Sequence, residues 1–188
     1  MNRIHRWLCG SARWRKELEE TVMPWVLNCV DLGPKVLEVG PGPGLTTDIL
    51  RSRIPSVTAL EIDPALADAL AARMRGSNVK VIQGDATVMP FRDGQFTGAI
   101  CCTMLHHLSS PDFQDKLLHE VFRVLKPGGL FAGVDSRTSP FMRLIHIWDT
   151  LVPVDPQTFQ PRLATAGFEE IDIEANPQRF RFHGRKPR

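Results

Sequence analysis

A chain of 188 residues, 43% hydrophobic and 23% charged, has the size and make-up of one globular domain with a sizeable core. A net charge of +2 gives no argument for a nucleic-acid partner, and no apolar run is long enough to cross a bilayer. The first residues carry charge without the apolar stretch of a secretory leader, so a cytoplasmic location is the expectation.

In chain order, Arg13 to Val30 is predicted as an amphipathic helix. Trp14, Leu18, Val22, Trp25, Val26 and Cys29 recur along it at three- and four-residue steps. Leu32-Gly33-Pro34 stops it. Val36-Leu37-Glu38-Val39 is a first strand, and it runs into Gly40-Pro41-Gly42-Pro43-Gly44, with a helix expected over Thr46 to Arg53. Ser56 to Glu61 is a second strand, after which Asp63 is placed to cap an alanine-rich helix that begins at Pro64. Asn78 to Ala86 and Phe96 to Cys102 are the third and fourth strands. Phe113 to Leu125 is a helix, followed by a tight turn and a fifth strand. A helix is expected inside 136–156 and another over Pro156 to Ala166, ended by Gly167. Phe168 to Glu174 and Arg179 to His183 alternate around Asn176-Pro177-Gln178 and should pair as an antiparallel hairpin. Strands alternating with helices make this an α/β chain with a mostly parallel sheet and helices on both faces.

Three glycines at alternate positions after a strand let bare backbone approach a ligand, because no Cβ stands in the way. Pro41 and Pro43 fix φ and stiffen the loop. A carboxylate at Glu38 would repel a phosphate and suit a cationic ligand. A nicotinamide dehydrogenase needs Gly-x-Gly-x-x-Gly, but the last of those positions is Leu45, with Gly44 one place early. No Gly-Lys-Ser/Thr follows, which excludes a P-loop. Cys101 and Cys102 are neighbours on a strand and read as small core side chains, not as a Pro-Cys nucleophile. Neither a Cys-x-x-Cys pair nor Cys/His ligand spacing occurs, so no metal site is expected.

Glu38 before Gly40-x-Gly42-x-Gly44, the acid Glu61 ending the second strand, and Gly84-Asp85-Ala86 ending the third come in order. Met104-Leu105-His106-His107-Leu108 and Leu125-Lys126-Pro127-Gly128-Gly129 follow. Together they resemble the class I S-adenosylmethionine-dependent methyltransferases of the type 11, quinone-methyltransferase kind, over residues 36 to 135. The resemblance implies a Rossmann-like seven-stranded sheet whose last strand lies antiparallel beside the fifth. It implies a single methyltransferase domain over residues 1–188 and S-adenosylmethionine as cofactor. By the same resemblance, Glu38 supports the aminoacyl end through loop amides and water, and Gly40, Pro41, Gly42 and Gly44 admit the methionine portion. Glu61 holds the ribose and Asp85 the adenine edge, with Ile62, Gly84, Ala86 and Cys102 completing the set.

His106 and His107 fall at the carboxyl end of the fourth strand, where ligands of open α/β sheets gather. They are the candidate catalytic residues, since an imidazole can take a proton from a hydroxyl acceptor. The competing reading packs one beneath the cofactor and uses the other to cap the next helix. Acceptor recognition is assigned to residues 1–33 and 136–156. In the first, Arg3, Arg6, Trp7 and Trp14 suit an anionic lipid surface, a lid over an aromatic substrate, or an ordinary packed helix. In the second, a helix is expected to cover the pocket mouth, with His146 and Asp149 on one helical face as an acid–base or plain surface pair. Arg179, Arg181, Arg185, Lys186 and Arg188 form a basic tail, either an RNA contact or a solvated hairpin edge. The base-gripping Asn/Asp-Pro-Pro-Tyr/Phe motif is absent. The expectation is therefore a small apolar acceptor of quinone, lipid or natural-product type, with nucleic acid not expected. The alternatives are an RNA methyltransferase and a non-catalytic cofactor-binding subunit.

Overall fold

Alternation along each strand decides which helices its side chains meet. On β1 (Lys35–Val39), Leu37 and Val39 enter one core and Val36 the opposite one. On β4 (Phe96–Cys102), Cys101 goes with the first core, while Ile100 and Cys102 go with the second. The computed structural model describes Leu8, residues 10–28 and residues 30–188. Arg3, Arg6, Trp7, Cys9 and Cys29 lie outside the described residues.

The remaining strands are β2 (Ser56–Glu61), β3 (Val79–Gln83), β5 (Leu125–Ser136), β6 (Glu169–Ala175) and β7 (Arg179–Arg185). They form one seven-stranded sheet in the order β3-β2-β1-β4-β5-β7-β6. β7 runs antiparallel to both β5 and β6, and the other pairs are parallel. This is the expected Rossmann-like arrangement. From β1 the chain moves outward to β2 and β3, then returns to place β4 on the other side of β1. The strand order reverses between β1 and β4, so loops diverge at their carboxyl ends and leave a crevice there.

On one face of the sheet lie α1 (Ala12–Glu17), α2 (Met23–Val26), α3 (Leu45–Arg51) and α4 (Pro64–Arg73). The other face carries α5 (Pro111–Val124) and α7 (Pro156–Thr165), beyond α6 (Pro140–Ile145). Phe131, Phe159, Phe168, Phe180 and Phe182 stack under α5 and α7 with centroids 4.9 to 6.2 Å apart. Such burial contributes roughly 2–3 kcal/mol per ring.

The helices follow their start signals. Asp63 accepts from the amides of Ala65 and Leu66, and Ser110 from that of Phe113. The long N-terminal helix is not continuous, because a π-helical segment, Leu18–Val22, separates α1 from α2. Pro24 has no N–H to give the carbonyl four residues back, so the regular ladder cannot pass this point. β5 also differs from expectation. It begins at Leu125, opposite Phe96, and Lys126–Gly129 loop out before pairing resumes at Leu130 opposite Gly98. The helix expected within 136–156 is only the six residues of α6.

Candidate functional site

The glycine loop is held at both ends by backbone. Gly40 N donates to Leu60 O at 2.9 Å and Gly44 N to Pro41 O at 2.9 Å. Gly42 has φ +54, and a Cβ built there would meet nothing within 4 Å, so the space before it is open. At Gly44, with φ +83, a Cβ would strike Leu70 Cδ1 at 2.4 Å. Gly44 thus serves helix packing and not the crevice. Arg73, which the sequence reading passed over, braces the loop from behind. Its Nη2 donates to Pro43 O at 2.9 Å and Gly44 O at 3.1 Å, and its Nη1 to Asp48 Oδ1 at 2.6 Å.

The two strand-end acids differ in their surroundings. Glu38 is 2% exposed and points into the α3 face, where Thr47 Oγ1 donates to its Oε2 at 2.6 Å. It accepts from that hydroxyl and from no loop amide, and its Oε1 has no hydrogen-bond partner. Burial pushes its pKa up to about 8, with Asp48 and Glu61 adding to the rise and Thr47 opposing it. Burial thus favours the protonated form at neutral pH, and the carboxyl lies apart from the loop amides through which it was expected to act. The loop amide goes instead to Glu61. Gly42 N donates to its Oε2 at 2.9 Å and Asp63 N to its Oε1 at 3.0 Å. Asp85 folds over its own turn, accepting from Thr87 N at 2.7 Å and Thr87 Oγ1 at 2.8 Å.

A cleft of about 270 Å³ opens at the carboxyl ends of β1, β2, β3 and β4. Gly40, Pro41, Gly42, Glu61, Ile62, Gly84, Asp85, Ala86, Cys102 and His107 line it, whereas Glu38, Gly44 and His106 do not. Trp14 and Leu18 also reach it from the N-terminal helix, Met104 and Leu108 from the loop after β4, and Asp149 and Thr150 from beyond α6. Burial pushes the thiols of both Cys101 and Cys102 well up, which keeps them protonated and inert as nucleophiles. A profile of the methyltransferase domain matches residues 37–133, just over half of the chain and the part that builds this cleft. The chain belongs to the class I S-adenosylmethionine-dependent methyltransferases.

This methyltransferase is similar to a ribosomal RNA small subunit methyltransferase A of Parasynechococcus marenigrum (strain WH8102). The two are 28% identical over 179 residues, covering 80% of this chain and 57% of that protein. It is also similar to the ubiquinone/menaquinone biosynthesis C-methyltransferase UbiE of Legionella pneumophila (strain Corby), 29% identical over 130 residues, 65% of this chain and 51% of that protein. The chain thus spans little more than half the length of these curated relatives. Among solved structures, the PH0226 protein of Pyrococcus horikoshii OT3 superposes with a TM-score of 0.78 at 21% identity, covering 95% of this chain and 93% of that one, which speaks for the fold.

The two candidate histidines at the end of β4 are in different situations. His106 is 1% exposed, and its Nδ1 lies 2.5 Å from Asp135 Oδ1 on β5. His107 lines the cleft. Neither forms part of α5, whose N-terminus is capped by Ser110. His146 and Asp149 do not share a helical face, because α6 ends at Ile145 and Asp149 N closes a turn onto His146 O at 2.8 Å. Of the apolar residues in the segment expected to cover the pocket mouth, Leu144, Ile147 and Trp148 face outward, Trp148 97% and Leu144 63% exposed. The chain turns sharply at Trp148, φ +63, and presents Asp149 and Thr150 to the cleft.

The basic tail is largely consumed within the fold. Arg179 pairs with Glu17, Arg181 with Glu174 at 2.7 Å and Arg185 with Glu170 at 2.8 Å. Lys186 donates to the carbonyls of Phe122 and Leu125 at 2.8 and 2.9 Å. No helix among the described residues is long and apolar enough to cross a membrane.

Proposed function

We propose that this methyltransferase transfers the methyl group of S-adenosylmethionine to a small, apolar acceptor of quinone, lipid or natural-product type. The observation that carries the reading is the lining of the cleft. Glu61, Asp85 and the glycine-loop backbone stand at the tips of β1, β2 and β3 with apolar Pro41, Leu60 and Ile62 beside them, and Trp14, Leu18, Met104 and Leu108 add further apolar surface next to His107, Asp149 and Thr150.

The residues present fit the cofactor. The open space before Gly42 is a cradle that a Cβ would narrow. Each Glu61 oxygen holds one backbone amide and keeps a further lone pair for a ribose hydroxyl. Asp85 offers an acceptor for the adenine amine, and Ile62, 65% exposed, an apolar surface beside it. Bound there, S-adenosylmethionine supplies an already activated methyl on a sulfonium. The protein's own share is to align donor and acceptor and exclude water, and alignment can lower a barrier by roughly 7–11 kcal/mol at best. Glu38, protonated beneath α3, supports the loop indirectly through Thr47. His107 is the imidazole that meets the cleft and so the one able to take a proton from an acceptor hydroxyl, whereas His106 is held behind it by Asp135. The 1–33 and 136–156 segments supply the acceptor end through Trp14, Leu18, Asp149 and Thr150, within a single domain.

Calorimetric titration with S-adenosylmethionine and S-adenosylhomocysteine tests this, with NADH as a control. Saturable binding of both, at least tenfold weaker in Glu61→Ala, is expected; tenfold corresponds to about 1.4 kcal/mol. A folded protein that binds neither compound would remove the cofactor assignment.

The ribosomal RNA methyltransferase relative favours a second reading, with RNA as acceptor. RNA affinity that saturates and falls steeply with salt would support it. Against it stand the arginines of β7, already paired with acids of this same chain.

A further inference from the structure

His106, His107 and His146 converge, although 39 residues separate the last two in sequence. Val152 N donates to His106 O at 2.8 Å, and Gln114 Nε2 joins Leu105 O at 3.1 Å to Val152 O at 2.9 Å. These bonds draw the segment after α6 onto the turn after β4. One ring nitrogen from each of the three histidines then lies within 4.8 Å of the other two. The ring centroids stand 4.3, 5.0 and 5.1 Å apart.

We infer that these three imidazoles form a binding site for a divalent transition-metal ion of the zinc class, with Asp135 as its outer support. Three features carry this. First, His106 Nδ1 is engaged by Asp135 Oδ1 at 2.5 Å, and His146 Nδ1 by Met142 O at 2.7 Å. With Nδ1–H donating outward, Nε2 is the nitrogen left to ligate a metal, the orientation that carboxylate and carbonyl partners impose on metal-ligating histidines. Second, His106 Nε2 is buried without a hydrogen-bond partner among the described residues. Leaving such an atom unsatisfied is unfavourable, and coordination would remove that cost. Third, the size is right. Tetrahedral zinc at 2.0–2.1 Å from nitrogen sets ligand atoms about 3.3 Å apart, so each ring need move inward by under about 1 Å from the present spacing.

Three neutral nitrogens leave a fourth coordination position for a water or substrate atom. Because His107 also lines the cleft, along with Asp149 and Thr150, an ion held here lies at the cleft wall on the side of the loop after β4. It would polarise an acceptor hydroxyl, and His107 would then act as a ligand and not as a base. That last role rests on the methyl-transfer reading; the site itself does not.

The test is a titration of chelator-treated, tag-free protein with Co²⁺ followed by visible absorption, and with Zn²⁺ by calorimetry. One equivalent should bind with the intense bands of tetrahedral cobalt. His146→Ala should weaken binding at least tenfold, and Asp135→Asn by 10- to 100-fold with the bands retained. His183→Ala, a change on β7 away from the cluster, should bind as the parent does. Circular dichroism establishes that each variant is folded. A folded parent with no saturable Co²⁺ or Zn²⁺ binding would overturn the inference, and so would binding unchanged in both His146→Ala and His107→Ala. S-Adenosylmethionine titration of the metal-free protein reads the cofactor separately, so failure of one does not imply failure of the other.

Discussion

Glu38 shows how much one position can conceal. Its place at the end of a strand before the glycines was plain, and so was its acidity. Which way it points was not, because Glu38 shares the parity of Val36 and therefore faces α3, where burial keeps its proton on. Unfolded, this carboxyl titrates near 4.5; folded, it titrates near 8. Between those values the folded chain retains a proton that the unfolded chain has released. This contribution to stability is therefore complete below about pH 4.5 and is lost as pH rises through 8. At about 1.4 kcal/mol per pH unit, the loss amounts to several kcal/mol. Glu38→Gln, which can still accept from Thr47, should match the parent near pH 5 and exceed it at pH 8 in urea denaturation with an unchanged m-value. Parallel pH profiles for the two proteins would refute this placement of the proton. Glu61, by contrast, was placed at the cleft by its position at the end of the second strand together with the family resemblance; what neither could reveal was that it already binds the amides of Gly42 and Asp63.

At the scale of elements, strands and long helices were readable because their apolar spacing is unambiguous. The pairing of β7 between β5 and β6 came from the family resemblance and agrees with the observed order. Two elements were misjudged for physical reasons. Pro24 interrupts the N-terminal ladder without ending the helix, so periodicity carries across a π-helical segment that it cannot reveal. In 136–156 a rich apolar content suggested a helix covering the pocket mouth, but α6 stops after six residues and leaves Trp148 exposed. The three-histidine cluster was invisible for a related reason, since it depends on a long-range contact and not on ligand spacing. Contacts between strands also set a tolerance. A Cβ at Gly133 on β5 would come within 2.5 Å of Cys101 O and 2.6 Å of Phe182 Cζ. Gly133→Ala should accordingly cost about 1–3 kcal/mol and lower the melting temperature. No loss would mean that β5 and β7 separate more readily than their packing indicates.

Over the whole molecule, 23 basic residues against 21 acidic ones leave little excess charge, and much of the tail's share is tied to acids of the same chain. RNA should accordingly bind weakly and without saturation at physiological salt, as filter binding would show; a sharp, sequence-dependent isotherm would redirect the search for the acceptor. The antiparallel strand has a consequence of another kind. β6 touches β5 only through β7, although β6 is made first. On the ribosome, five strands can assemble in step with synthesis, while β6 has nowhere to dock until Arg179–Arg185 has cleared the exit tunnel. Until then β5 and β6 both offer open edges to a neighbouring nascent chain. The last strand thus sets the moment at which β5 loses its open edge and β6 gains a partner.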